Sequence, residues 1–137
     1  MIHVDLTTTA QRQLRDLRGR RQKAAIEALH DLLARGCEAA GYRLSGSALE
    51  HVCSRHLYAD DRMLTAWPTE QSAVVVAIGR HDRSVSGVYD LLMEHLGLET
   101  IKAERSKPPC CGEDGLPPVD QGLSASLVDA LNRTRRR

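Results

Sequence analysis

Residues 72–79, SAVVVAIG, constrain the fold more than any other part of the chain. From Ala73 to Gly79 the run is almost continuously apolar and β-branched, which suits the best-buried strand of a sheet. Its neighbours follow from the flanking sequence. Upstream, Val52–Leu57 reads as a strand, Asp60 and Asp61 as its turn, and Arg62–Trp67 as the return, closed by Pro68 with PTEQS as the next turn. Downstream, the apolar run discharges into Arg80, His81, Asp82 and Arg83. A helix follows, with Val88, Leu91, Leu92 and Leu96 as its apolar side and Gly97 at its end.

The first forty residues predict a strand and a helical hairpin. Ile2, Val4 and Leu6 share one face of a short strand, and Thr7, Thr8 and Thr9 offer N-cap hydroxyls for the helix behind it. Leu14 and Leu17 mark the buried side of that helix. A longer helix is expected from Arg20 to Ala40 with Ala25, Leu29, Leu32 and Leu33 as its stripe, stopped by Gly41. Arg12, Arg15, Arg18, Arg20, Arg21 and Lys23 read as a solvated face balanced by acidic residues. A short strand near Tyr42–Leu44 is admitted, and Glu50 and His51 read as a solvated loop.

Beyond Leu98 the character changes. KAERSKPPCCGEDGLPPVDQG has the Pro, Gly and charge of a linker, and LSASLVDALNRTRRR returns to helical periodicity through Leu123, Leu127 and Leu131. The expected organisation is a domain over 1–98 followed by a linker and short amphipathic helix over 99–137.

Composition sets limits on function. The net charge is +1, so the chain as a whole does not announce a polyanion binder, although Arg heavily outnumbers Lys. No apolar run is long enough to span a membrane and the N-terminus MIHVDLTTTA has no signal-peptide pattern, so a cytoplasmic protein with no membrane partner is expected. Cys37, Cys53, Cys110 and Cys111 are then expected as reduced thiols. Their spacing does not make a metal site, and no cofactor is expected.

The order strand, helical hairpin, three antiparallel strands, helix resembles the RelE/ParE toxin superfamily over residues 1–98. CSRHLYADDRMLTAW is similar to the strand pair of YoeB-type mRNA interferases, in which a basic dipeptide precedes an Arg; here these are Arg55, His56 and Arg62. VVVAIGRHDRSVSGVYDLL resembles the RelE segment in which a hydrophobic strand, a Gly, a basic cluster and a helical Tyr follow in turn; here these are Gly79, Arg80, His81, Arg83 and Tyr89. The chain departs from RelE at Val85, Ser86 and Gly87, which move Tyr89 away from the basic cluster, and at Arg55 and His56, where RelE has lysines.

The resemblance implies an α+β fold, a small antiparallel sheet of about four strands packed on the helical hairpin. It also implies a type II toxin that cleaves ribosome-associated mRNA without a metal. The partners would be a cognate antitoxin, mRNA and the ribosome, with a homodimer admitted. Attack of a 2′-hydroxyl on the adjacent phosphate requires a base, cations around the phosphorane and an acid for the leaving 5′-oxygen. His81 is the first candidate for acid or base, because an ordinary imidazole titrates near neutral pH. Arg62 and Arg80 would steady the phosphate, and Tyr89 would stack on a base or donate to the phosphate. Arg55, His56 and Arg83 are expected at the RNA, with His56 the alternative base. His56 and Arg55 alternate along a strand, so at most one of them faces the site.

Two other readings stay open. The strand-end cluster would serve equally as a solvated turn with Arg80–Asp82 pairing. A ParE-like gyrase inhibitor, or a non-catalytic interaction protein, would keep the scaffold without the chemistry. In that last reading the terminal helix would fold back over the sheet, as antitoxins cover these toxins, and hold the protein inactive.

Overall fold

The computed structural model describes residues 2–44, 50–80 and 108–133, and their architecture is α+β. Strand β1 (His3–Leu6) alternates exposed His3 and Asp5 with half-buried Val4 and Leu6. Helix α1 (Thr8–Asp16) begins where the Thr7 hydroxyl accepts from Ala10 N–H at 3.0 Å, the N-cap that the threonine run promises. Helix α2 (Gly19–Arg35) buries Ala25, Ala28 and Leu32. It stops at Gly36, whose φ of 62° suits a residue without a Cβ, and a 3-10 turn (Gly36–Ala39) carries the chain onward. The helix therefore ends before Gly41, the stop expected from sequence.

Strands β2 (Tyr42–Arg43), β3 (Val52–His56), β4 (Asp61–Thr69) and β5 (Ser72–Arg80) complete a five-stranded sheet in the order β1-β5-β4-β3-β2. Three of its pairings are antiparallel, whereas β1 runs parallel to β5. The sheet is thus mixed and one strand larger than the antiparallel sheet expected. Without β1, the outer edge of the most apolar strand would be bare, and β1 covers it. Thr7 fastens the junction, its N–H donating to Val75 O and its hydroxyl to Val76 O.

Plain alternation fails at two points. Leu64 pairs with Ala77 and Thr65 with Val75, so Val76 is an extra residue on β5. Near the other end Ala66 pairs with Val74 and Thr69 with Ser72, which leaves the extra residue on β4 beside Pro68. Pro68 therefore lies inside the strand at an irregularity, where its missing N–H costs no ladder bond, instead of closing the strand.

Two cores flank the sheet. On one face α1 and α2 pack over Cys53, Met63, Trp67, Ala73, Val75 and Ile78. On the other, Leu127 and Leu131 of helix α3 (Gln121–Arg133) pack over Leu44, Val52, Leu64, Ala66, Val74 and Val76. The terminal helix does fold back onto the sheet. Its last turn meets α1: Thr9 Oγ1 donates to Leu131 O, and Thr8 N–H donates to Asn132 Oδ1 at 2.7 Å.

The cysteines correct the expectation of reduced thiols. Cys37 is bonded to Cys111 and Cys53 to Cys110. The two adjacent residues of the apparent linker reach different partners, one on the 3-10 turn and one on β3. Segment 108–111 lies along β2: Arg43 N–H donates to Pro108 O at 2.8 Å, Cys110 N–H donates to Gly41 O at 3.0 Å, and Tyr42 bridges Pro109. The sequence could not show this, because a pairing depends on the folded distance between strands and not on spacing along the chain. The expected helix Val88–Leu98 lies outside the described residues.

Candidate functional site

The β3–β4 ladder sets the site. His56 and Arg62 are directly opposite partners, and Gly79 of β5 lies opposite Arg62 on the other side. By alternation these residues share the α3 face of the sheet with Val52, Ser54 and Leu64. Tyr42 pairs with Ser54 on the same face, and its ring lies 6.1 Å from that of His56 at a tilt of 57°. Tyr42, His56 and Arg62 thus form one row across neighbouring strands on this face, with Tyr42 packed against the α3 core. Gly79 presents no side chain over the arginine.

Arg62 is 8 % exposed. Its Nη1 donates to Asp61 O at 3.0 Å, while its buried Nε has no hydrogen-bond partner among the described residues. A buried guanidinium N–H without an acceptor is costly, and an anionic oxygen is the acceptor that would best repay it. His56 is exposed, so the pair combines an accessible imidazole with a sheltered cation.

The remaining sequence candidates divide. Arg55 is on the opposite face, where it donates to Ala39 O and to Asp31 Oδ2, both at 3.0 Å. It is a strut between β3 and α2, and the expected alternation of Arg55 and His56 holds. Arg80 pairs with Asp61 in the ladder and so also belongs to the hairpin face, away from Arg62. His81, Arg83 and Tyr89 lie outside the described residues.

Two groups at the site, Asp61 and Tyr42, carry little signal in the sequence. Asp61 was expected in the turn, yet it opens β4 at 1 % exposure and receives Arg21 Nε at 2.8 Å and Nη2 at 2.7 Å. This forked bond is the largest cause of the raised pKa of Arg21, followed by an opposing effect of burial. Arg21 is consequently not part of a freely solvated basic face. Tyr42 is the second such group. Its only sequence signal is an aromatic in a two-residue strand, too short for a period to show which face it takes. His51 Nε2 lies 3.8 Å from Glu50 Oε1, a pair within the loop.

Among the described residues no cluster of three or more His, Cys, Asp or Glu could hold a metal ion, and no helix is long and apolar enough to cross a membrane.

No family model matches this sequence, and no curated protein does. Solved structures do match. The E. coli RelE toxin, solved in isolation, superposes with a TM-score of 0.51 at 18 % identity, over 70 % of this chain and 99 % of that one. The RelBE2 toxin–antitoxin complex from Mycobacterium tuberculosis supplies a chain matched with a TM-score of 0.49 at 26 % identity, over 58 % of this chain and 96 % of that one. With its helical hairpin on one face of a sheet whose central strands carry the His56–Arg62 pair, this chain has the RelE fold.

Proposed function

We propose that this chain is the toxin of a toxin–antitoxin pair and acts as a metal-independent endoribonuclease on ribosome-associated mRNA. The observation that carries this reading is the cross-strand pairing of His56 with the sheltered Arg62 on a RelE fold. In the reaction a 2′-oxygen attacks the adjacent phosphorus as its proton passes to a base, and the bond to the 5′-oxygen breaks as that oxygen takes a proton. The Arg62 guanidinium would meet a nonbridging phosphate oxygen where charge accumulates. His56 would exchange the proton, the role the sequence reading gave first to His81 and second to His56. Tyr42 is the ring beside that imidazole. His81, Arg83 and Tyr89 remain part of the proposal on the sequence pattern alone. Arg80 and Arg55 belong to the hairpin face, and this reading assigns them no contact with the phosphate.

Brief induction of the full chain should arrest growth and produce discrete mRNA breaks by primer extension. His56→Gln combined with Arg62→Ala should reduce cleavage by about 10²-fold or more. Arrest with intact mRNA would overturn the ribonuclease reading. DNA damage in the same cells would then point to a gyrase-directed toxin.

A further inference from the structure

The two disulfides lie behind the candidate site, and a short path of contacts joins them to it. Cys110 and Cys111 hold segment 108–111 along β2, through the bonds from Arg43 N–H to Pro108 O and from Cys110 N–H to Gly41 O. The Arg43 guanidinium adds a bond from Nε to Cys110 O at 3.0 Å. The bridging partner of Pro109 is Tyr42, whose ring meets His56, which in turn faces Arg62. Strand β2 is only two residues long, and among the described strands it pairs with β3 alone. A strand so short has little hold of its own, so the bridged segment adds to what β3 and the core on the α3 face do to keep Tyr42 in place.

We propose that the Cys37–Cys111 and Cys53–Cys110 bridges are a redox clasp on the candidate site: when closed they hold β2 and set Tyr42 against His56, and when opened by a dithiol they release that edge. The proposal rests on the reading of His56 and Arg62 as the reacting pair, and it makes Tyr42 a positioning residue. The bridges are unequal. Cys53 and Cys110 are both fully buried, whereas Cys111 is half-buried and Cys37 is 8 % exposed. Exchange therefore begins at the outer bridge. A reductant thiolate attacks one sulfur of Cys37–Cys111, forms a mixed disulfide and expels the other as a thiolate. The reductant's second thiol then displaces the bound cysteine. Two electrons pass to the protein, both cysteines become thiols after proton uptake, and the reductant leaves as a disulfide. Once formed, the Cys37 thiol has an acceptor waiting in Gly115 O, 3.6 Å from its sulfur. The inner bridge is open to the same exchange once segment 108–111 has moved.

The test uses the full chain purified without reductant, with histidine ring nitrogens labelled for NMR and thiols read by alkylation and mass spectrometry during a dithiothreitol titration. Cys37 and Cys111 should be alkylated before Cys53 and Cys110. The His56 resonances should move as the bridges open, and RNA cleavage should fall by about tenfold or more. In the oxidised protein Tyr42→Ala should reproduce the shift, and Tyr42→Phe, which keeps the ring, should not. Four alkylatable thiols at the outset, or His56 resonances indifferent to the state of both bridges, would overturn the clasp. Should full reduction melt the chain, Cys37→Ser with Cys111→Ser decides the matter. His56 must shift there while the far-ultraviolet circular dichroism is kept, and global loss of structure in that variant counts against the proposal. A redox-dependent His56 in a protein that cleaves no RNA in either state sustains the clasp and removes the ribonuclease reading. Cleavage unaffected by redox state does the reverse.

Discussion

Arg21 and Asp61 form an asymmetric pair, and the asymmetry decides what each substitution costs. The Asp61 side chain is 1 % exposed and that of Arg21 is 33 % exposed. Arg21→Ala strands a buried carboxylate and should cost about 3–5 kcal/mol in denaturant unfolding. Asp61→Asn lets the arginine turn toward water and should cost less, about 1–2 kcal/mol. Equal losses would show that the pair is not seated as described. The pH dependence has a definite sign. The Arg21 pKa is raised in the folded state, so its contribution is complete below the ordinary arginine value and disappears only as pH climbs through the raised one. No loss through this group is expected across the neutral range. Residue types are legible in the sequence, where Arg62 and His56 stand out as candidates. What the sequence hid was company. Asp61 looked like a turn residue and Arg21 like one more solvated cation, because a contact across forty positions leaves no local trace.

At the scale of elements, the junction between the 3-10 turn and β2 is the least forgiving. Gly41 has a φ of 91°, and a Cβ there would run into the Ser54 carbonyl oxygen and come within 2.7 Å of Arg55 Cα. Gly41→Ala therefore combines backbone strain with a backbone collision and should cost about 2–4 kcal/mol, measured by urea unfolding. A near-neutral result would mean that β2 lies further from β3 than described. Most elements were legible, since periodicity reports the buried face of a helix and the apolar run of a central strand. The sequence offers two glycine stops for the long helix, and Gly36 ends it rather than Gly41. Its position, just past Arg35 at the end of the apolar stripe, is an ordinary C-terminal signal. Parallel pairing of β1 was not legible, because alternation reveals faces and never direction.

At the scale of the molecule, the described residues form three layers, and the third comes from the segment that looked appended. Leu127 and Leu131 of α3 are each 1 % exposed, so Leu127→Ala should cost about 2–5 kcal/mol by thermal or urea unfolding. Leu116, 39 % exposed in the same C-terminal segment, should tolerate the same change within about 0.5 kcal/mol. Equal tolerance at both positions would mean that α3 is not part of the core. The amphipathic period of this helix is plain in the sequence and admits a return over the sheet, whereas its contacts with Thr8 and Thr9 leave no trace there. The candidate site suffered from one hidden count. Ala73 and Arg80 are an odd number of positions apart, so strict alternation would put them on opposite faces, with Arg80 beside Arg62. The additional residue at Val76 reverses the parity of everything after it. That single supernumerary valine turns Arg80 to the hairpin face and sets Gly79, which has no side chain, opposite the cation.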